Sequence, residues 1–176
     1  MKVILVMVSS INGKITLGDD PVVSHWSSKE DGELFSQLKR QHKLIVMGSK
    51  TFEIAKDSIP KNERTLRVIM TKHPDKFKAY EIRGKFEFSS LPPKKLVASL
   101  ESKGFTRLLL VGGAKINAIF FEEGLVDELH LTIEPQLFGN GTNLIGDMPS
   151  HVQLQLIDMK KLNTRGTLHL IYKVVR

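Results

Sequence analysis

Three short stretches carry residue types that could do chemistry, and each lies where an apolar run stops. Val111-Gly112-Gly113-Ala114-Lys115 follows Leu108-Leu109-Leu110. Paired glycines permit a tight turn and bring backbone N–H groups close to a ligand, and a helix N-terminus directly after them favours a pyrophosphate. The same pair is equally a plain strand–helix turn. In Met47-Gly48-Ser49-Lys50-Thr51-Phe52, Gly48 makes room while Ser49, Lys50 and Thr51 supply donors for phosphate oxygens. Thr71-Lys72-His73 closes another run and adds a cation, although a lone lysine there more often just faces solvent. The third stretch runs from His25-Trp26-Ser27-Ser28 through Asp31 to Phe35. Asp31 falls in the first turn of a predicted helix, one turn before Phe35 and on the same face. Beside aromatic and apolar neighbours such a carboxyl could stay protonated and act as an acid. The plainer role of Glu30 and Asp31 is to complement the helix dipole.

The elements that must position these residues are short β-branched runs alternating with helical patterns. Strands are predicted at Lys2–Val8, Lys43–Met47, Leu66–Thr71, Lys85–Phe88, Arg107–Val111, Glu128–Glu134, Gln153–Met159 and Thr167–Val174. Continuous apolar runs point to strands covered on both faces. The last two runs alternate more and flank Asn163-Thr164-Arg165-Gly166, a hairpin turn. Helices are predicted after Ser27/Ser28, with Leu34, Phe35 and Leu38 as the apolar stripe; after Pro92-Pro93, stopping at Gly104; and from Ala114 to Glu122, stopping at Gly124. The pattern is α/β: one domain over 1–176, with a mostly parallel central sheet of about eight strands, helices on both faces and an antiparallel C-terminal hairpin.

Bulk numbers narrow the chemistry. The chain has 176 residues and no Cys, which removes disulfides, thiolate metal sites and a thiol nucleophile. The His residues show no metal-ligand spacing, and GxGxxG, Walker A, HExxH and GxSxG are all absent. A net charge of +7 fits nucleic acid, an anionic membrane surface, small anionic ligands, or a merely basic surface. No basic tail or clustered recognition surface appears, so nucleic-acid and membrane partners are not expected. The apolar run after Lys2 is too short to span a membrane, and a cytoplasmic location is expected.

In their order, these residues resemble the dihydrofolate reductase superfamily, which includes dihydrofolate reductases and the reductase domain of the riboflavin-pathway deaminase-reductase. The likeness covers nearly the whole chain. Trp26, Asp31 and Phe35 have the spacing of the Trp, catalytic acid and Phe of dihydrofolate reductases, and Met47 to Phe52 is similar to the family's Met-Gly-Arg-x-Thr element. Gly112-Gly113 is similar to its Gly-Gly turn, and Leu129-His130-Leu131-Thr132 to the strand whose threonine bonds the catalytic carboxylate. Ser9 to Ile15 and Gly124 to Leu129, with Pro135 and Gly139-Asn140-Gly141, look more like the riboflavin branch.

The resemblance implies NADPH as cofactor, held by Val8, Asn12, Gly13, Lys14, Ile15, Gly48, Ser49, Lys50, Thr51, Thr71, Lys72, His73, Val111, Gly112, Gly113, Ala114, Lys115 and Ile116. It implies Asp31 and Thr132 as the catalytic pair, with substrate against Val6, Met7, Trp26, Asp31, Phe35, Arg64, Arg67 and Thr132. A mobile loop is expected at Ser9–Leu17. Ser49 stands where the family has arginine at the cofactor's 2′-phosphate, with Lys50 or Lys72 to compensate, and Asn117 where many dihydrofolate reductases have Tyr. The activity implied first is NADPH-dependent reduction of dihydrofolate. The alternative is reduction of a ribosylaminopyrimidine 5′-phosphate in riboflavin biosynthesis, with Arg64 and Arg67 serving the phosphate. Leu137 and Phe138 either pack internally or make a homodimer contact.

Overall fold

The apolar runs become one eight-stranded sheet in the computed structural model, which describes residues 1–60, 65–149 and 151–176. The elements in chain order are β1 (Lys2–Ser10), α1 (Lys29–Gln41), β2 (Leu44–Gly48), α2 (Ser49–Ala55), β3 (Leu66–Met70), β4 (Phe86–Ser89), α3 (Pro93–Ser102), β5 (Arg107–Leu110), α4 (Ala114–Glu122), β6 (Glu128–Glu134), β7 (Leu154–Lys161) and β8 (Leu168–Val174). Strand ends fall within two residues of the predicted ones. A 3-10 turn over Pro74–Tyr80, absent from the sequence expectation, seats Phe77 on Phe88 with ring centroids 5.0 Å apart.

The sheet order is β4-β3-β2-β5-β1-β6-β8-β7. Strands β1 to β6 pair in parallel where they are neighbours, and β8 runs antiparallel to both β6 and β7. Alternation along β1 sends Ile4 and Val6 to one face with Ile45, Ile69 and Leu109, where Phe35 and Leu38 of α1 and Phe52 of α2 cover them. Val3 and Leu5 go to the other face with Val46, Val68, Leu108 and Leu110, under Leu96 and Leu100 of α3 and Phe120 of α4. Each such buried side chain contributes roughly 1.5–3 kcal/mol.

This layering creates the site. The chain leaves β1 to form α1 on one face, while it leaves the adjacent β5 to form α4 on the other. Two neighbouring strands whose connections diverge leave a crevice at their carboxyl ends, where ligands bind in open α/β sheets.

The far edge differs in character. All eight residues of β7 are exposed, and the 162–167 turn closes the hairpin with Leu162 N–H donating to Thr167 O at 2.8 Å. Among the described residues, no helix is long and apolar enough to cross a membrane.

Candidate active site

Gly48 ends β2 and caps α2, and Gly113 caps α4; neither helix start is closed by a side-chain hydrogen bond. The two meet, because Gly48 N–H donates to Gly112 O at 2.8 Å. Small residues are required here. A Cβ on Gly48 would stand 2.9 Å from Ile116 Cγ1, and one on Gly112 would stand 3.0 Å from Met7 Sδ, with φ at +87° besides. The helix starts therefore present unclaimed backbone N–H groups beside Ser49 and Thr51, a donor set suited to phosphate. Thr71, Lys72 and His73 follow the end of β3, next to Gly48 in the sheet register. The predicted cofactor residues on β2, α2, β3, β5 and α4 thus share one edge of the sheet.

Asp31 lies across β1 from this cradle. Ser28 caps α1 through its Oγ, which accepts from Asp31 N–H at 3.3 Å, and that turn faces β6. The Asp31 residue is only 7% exposed. Burial pushes its carboxyl up to about 6; a hydrogen bond from Thr132 opposes this, the Glu134 charge adds to it, and a bond from Ser27 opposes it again. Thr132 pairs in register with Val8 of β1, while Met7 approaches Gly112, so β1 links the acid to the glycine cradle. Thr132 Oγ1 also lies 3.4 Å from His169 Nδ1. Burial, with His130 nearby, holds His169 down to about 4, so it is neutral at physiological pH. Trp26 packs edge-on against Phe138, centroids 5.1 Å apart, in a small cluster with Val8.

Removing the Thr132 hydroxyl tests this pairing. Because its bond favours the ionised form, Thr132→Val is expected to raise the Asp31 midpoint further. The pH at which activity falls should then move upward, as a pH–rate profile would register.

Other predicted residues fall differently. Arg67 is 3% exposed at the amino end of β3, its guanidinium carbon 5.8 Å from the Phe86 ring centroid. It lies three residues before the carboxyl edge and is not at the crevice, so the expected substrate contact does not form. Arg64 lies outside the described residues. Ser9 and Ser10, expected in a loop, are buried β1 residues paired with Ile133 and Glu134. The 11–17 segment is strapped to the 136–144 segment: Asn12 Nδ2 donates to Phe138 O at 2.7 Å, Ile15 N–H to Thr142 O at 2.9 Å, and Leu144 N–H to Gly13 O at 2.9 Å. Phe138 packs internally, and Leu137 stays 73% exposed. Asn117 is fully buried and donates to Leu144 O at 2.8 Å. It tethers the 144–146 segment to α4.

The sequence reading missed Glu134 and Thr167, while Ser28 caps its helix as expected. The signal was present, since Glu128, His130, Thr132 and Glu134 repeat polar residues on one face of an inner strand. It also missed a polar groove of about 560 Å³ along α1, bordered by Ser24, Ser27, Lys29, Ser36 and Arg40.

A mixed eight-stranded sheet with this strand order and this crevice is the dihydrofolate reductase fold. Within it, the chain belongs to the RibD C-terminal domain family, whose model matches residues 1–168. The Bacillus subtilis protein YwjB is 23% identical over 176 residues, covering 97% of both chains. A crystal structure from Shewanella sp. PV-4, described as a riboflavin biosynthesis protein, superposes with a TM-score of 0.80 at 20% identity, over 100% of each chain. Enterococcus faecalis dihydrofolate reductase, solved with NADP(H), superposes with a TM-score of 0.70 at 17% identity, covering 98% of this chain and 96% of that one.

Proposed function

We propose that this chain is an NADPH-dependent reductase of the riboflavin branch, acting on a ribosylaminopyrimidine 5′-phosphate type of substrate. The observation that carries the reductase chemistry is a buried, protonatable Asp31 beside a glycine-walled phosphate cradle. The cofactor, when bound, supplies the hydride.

The residues of the cradle fit NADPH because no side-chain cap closes the α4 start and Gly112-Gly113 lets the backbone itself approach a ligand. Ser49, Lys50, Lys72 and His73 stand where the cofactor's 2′-phosphate is expected, with the lysines supplying charge in place of the family arginine. Asp31 holds a proton for the substrate atom that gains the electron pair as hydride arrives at the sugar C1, the nitrogen of the ring-opened imine in this substrate class. Trp26 and Phe138 exclude water from that end. Orientation of the two partners across β1 supplies much of the acceleration.

Family membership favours the riboflavin branch over folate. The α1 groove adds a second support: Glu33 in its lining pairs with Lys29 at 3.4 Å, so Arg40 with the groove serines is the set that suits a phosphate group. Arg40→Ala is expected to raise KM for the phosphorylated substrate several-fold and to leave the KM for NADPH unchanged. Dihydrofolate remains the second reading, favoured by the Trp26–Asp31–Phe35 arrangement and the Asp31–Thr132 bond. Assaying both substrates with NADPH separates the two readings.

A further inference from the structure

Glu134 is the most deeply buried acid near the site, only 1% exposed, and none of the chemistry above uses it. Its two oxygens are both engaged. Oε1 accepts from Ser28 N–H at 2.7 Å, and Oε2 accepts from the Thr167 hydroxyl at 2.7 Å. A third residue leaves the Thr167 hydroxyl its own proton to give. Asn163 Nδ2 donates to Thr167 Oγ1 at 2.9 Å, so the Thr167 proton is free to point at Glu134. Both carboxyl oxygens therefore serve as acceptors.

The network reaches both neighbours of the site. Ser28 is the residue whose side chain caps Asp31, and Asn163 also donates to Glu30 Oε2 at 3.1 Å. The end of β6, the β7–β8 turn and the first turn of α1 are thereby joined through one buried side chain. We propose that Glu134 is a positioning residue: a buried carboxylate that pins the start of α1 through Ser28 and so sets its charge close to the Asp31 carboxyl. The proposal rests on Asp31 being the acid of the reaction.

Other groups around Asp31 do not substitute for this role. Thr132 and Ser27 are uncharged donors, and His169 behind Thr132 is neutral. On the solvent side, Lys29 and Arg165 are exposed, and Glu30 is held ionised chiefly by its bond from Asn163.

The test is Glu134→Gln, which retains the acceptor for Ser28 N–H and offers Thr167 a donor in place of the charge. Carbon-13 carboxyl titration of the ligand-free variant is expected to show the Asp31 midpoint lowered by at least about half a unit. The pH limit of NADPH-linked turnover should fall by the same amount. An unchanged Asp31 midpoint in a folded Glu134→Gln protein overturns the proposal. A lowered midpoint with an unmoved pH–rate profile leaves Glu134 as the tuning charge and removes Asp31 as the acid. Should the variant not fold, the wild-type spectrum decides. There the Glu134 carbon must be that of a carboxylate at neutral pH and must shift as Asp31 titrates, and a protonated Glu134 overturns the proposal.

Discussion

Asp31→Asn is expected to give a folded protein that binds NADPH normally and loses about 10²- to 10⁴-fold in turnover near neutral pH, the range for removing a positioned proton donor. Asparagine keeps the size of the side chain and an oxygen to accept from Thr132, so the loss should appear in kcat rather than in cofactor affinity. Stability should move the other way. The Asp31 carboxyl lies at about 6 in the folded protein against an ordinary 3.8, so between these values the native state binds a proton that the unfolded chain releases. This group therefore favours the fold most at low pH. Its contribution falls as pH rises through about 4 to 6, and the native state then carries a penalty on the order of 3 kcal/mol. Asp31→Asn removes that penalty, so thermal melts above pH 6 should show the variant as more stable than the wild type. Equal turnover in the two proteins would mean that Asp31 only complements its helix dipole.

Gly48→Ala carries the second large effect. Its Cβ would sit 2.9 Å from Ile116 Cγ1, a branch of the side chain close to the α4 backbone, with Gly113 N and Gly112 O at 3.7 and 3.8 Å. Relief requires α4 to shift away from β2, at a cost of about 1–3 kcal/mol. The same shift opens the cradle, so the NADPH Kd is expected to rise at least about tenfold, as about 1.4 kcal/mol of lost interaction would produce. Fluorescence titration and urea denaturation would record the two effects separately. Gly113→Ala is the comparison: its Cβ meets only Thr51 Oγ1, at 3.4 Å, and the change should be milder. Wild-type NADPH affinity in Gly48→Ala would place the cofactor elsewhere.

The frame of this site is legible in the chain because local chemistry sets it. Apolar runs mark the inner strands, Ser28 and Gly124 mark helix ends, and Gly48 and Gly112 sit where β2 and β5 must stop. Arg67 shows where residue type alone misleads. A cation near a phosphate is attractive, but Arg67 is the second residue of β3 and so belongs to the edge opposite the crevice. Strand direction, itself readable, excludes it. Glu134 is harder to see. Its partners Ser28 and Thr167 are 106 and 33 residues away, and they meet only because β6 and β8 pair in one register while α1 packs on that face. Ser9 and Ser10 were obscured in a similar way, since two polar residues read as a loop until their pairing with β6 makes them strand.

Proton-coupled, NADPH-linked reduction at Asp31 is tested most directly by a pH profile of NADPH oxidation. With the ribosylaminopyrimidine phosphate as substrate and dihydrofolate in parallel, turnover should appear with the phosphate. Its kcat/KM should be level below about pH 6 and fall about tenfold per unit above it. No NADPH oxidation with either substrate, or a rate indifferent to pH between about 5 and 8, would contradict the account.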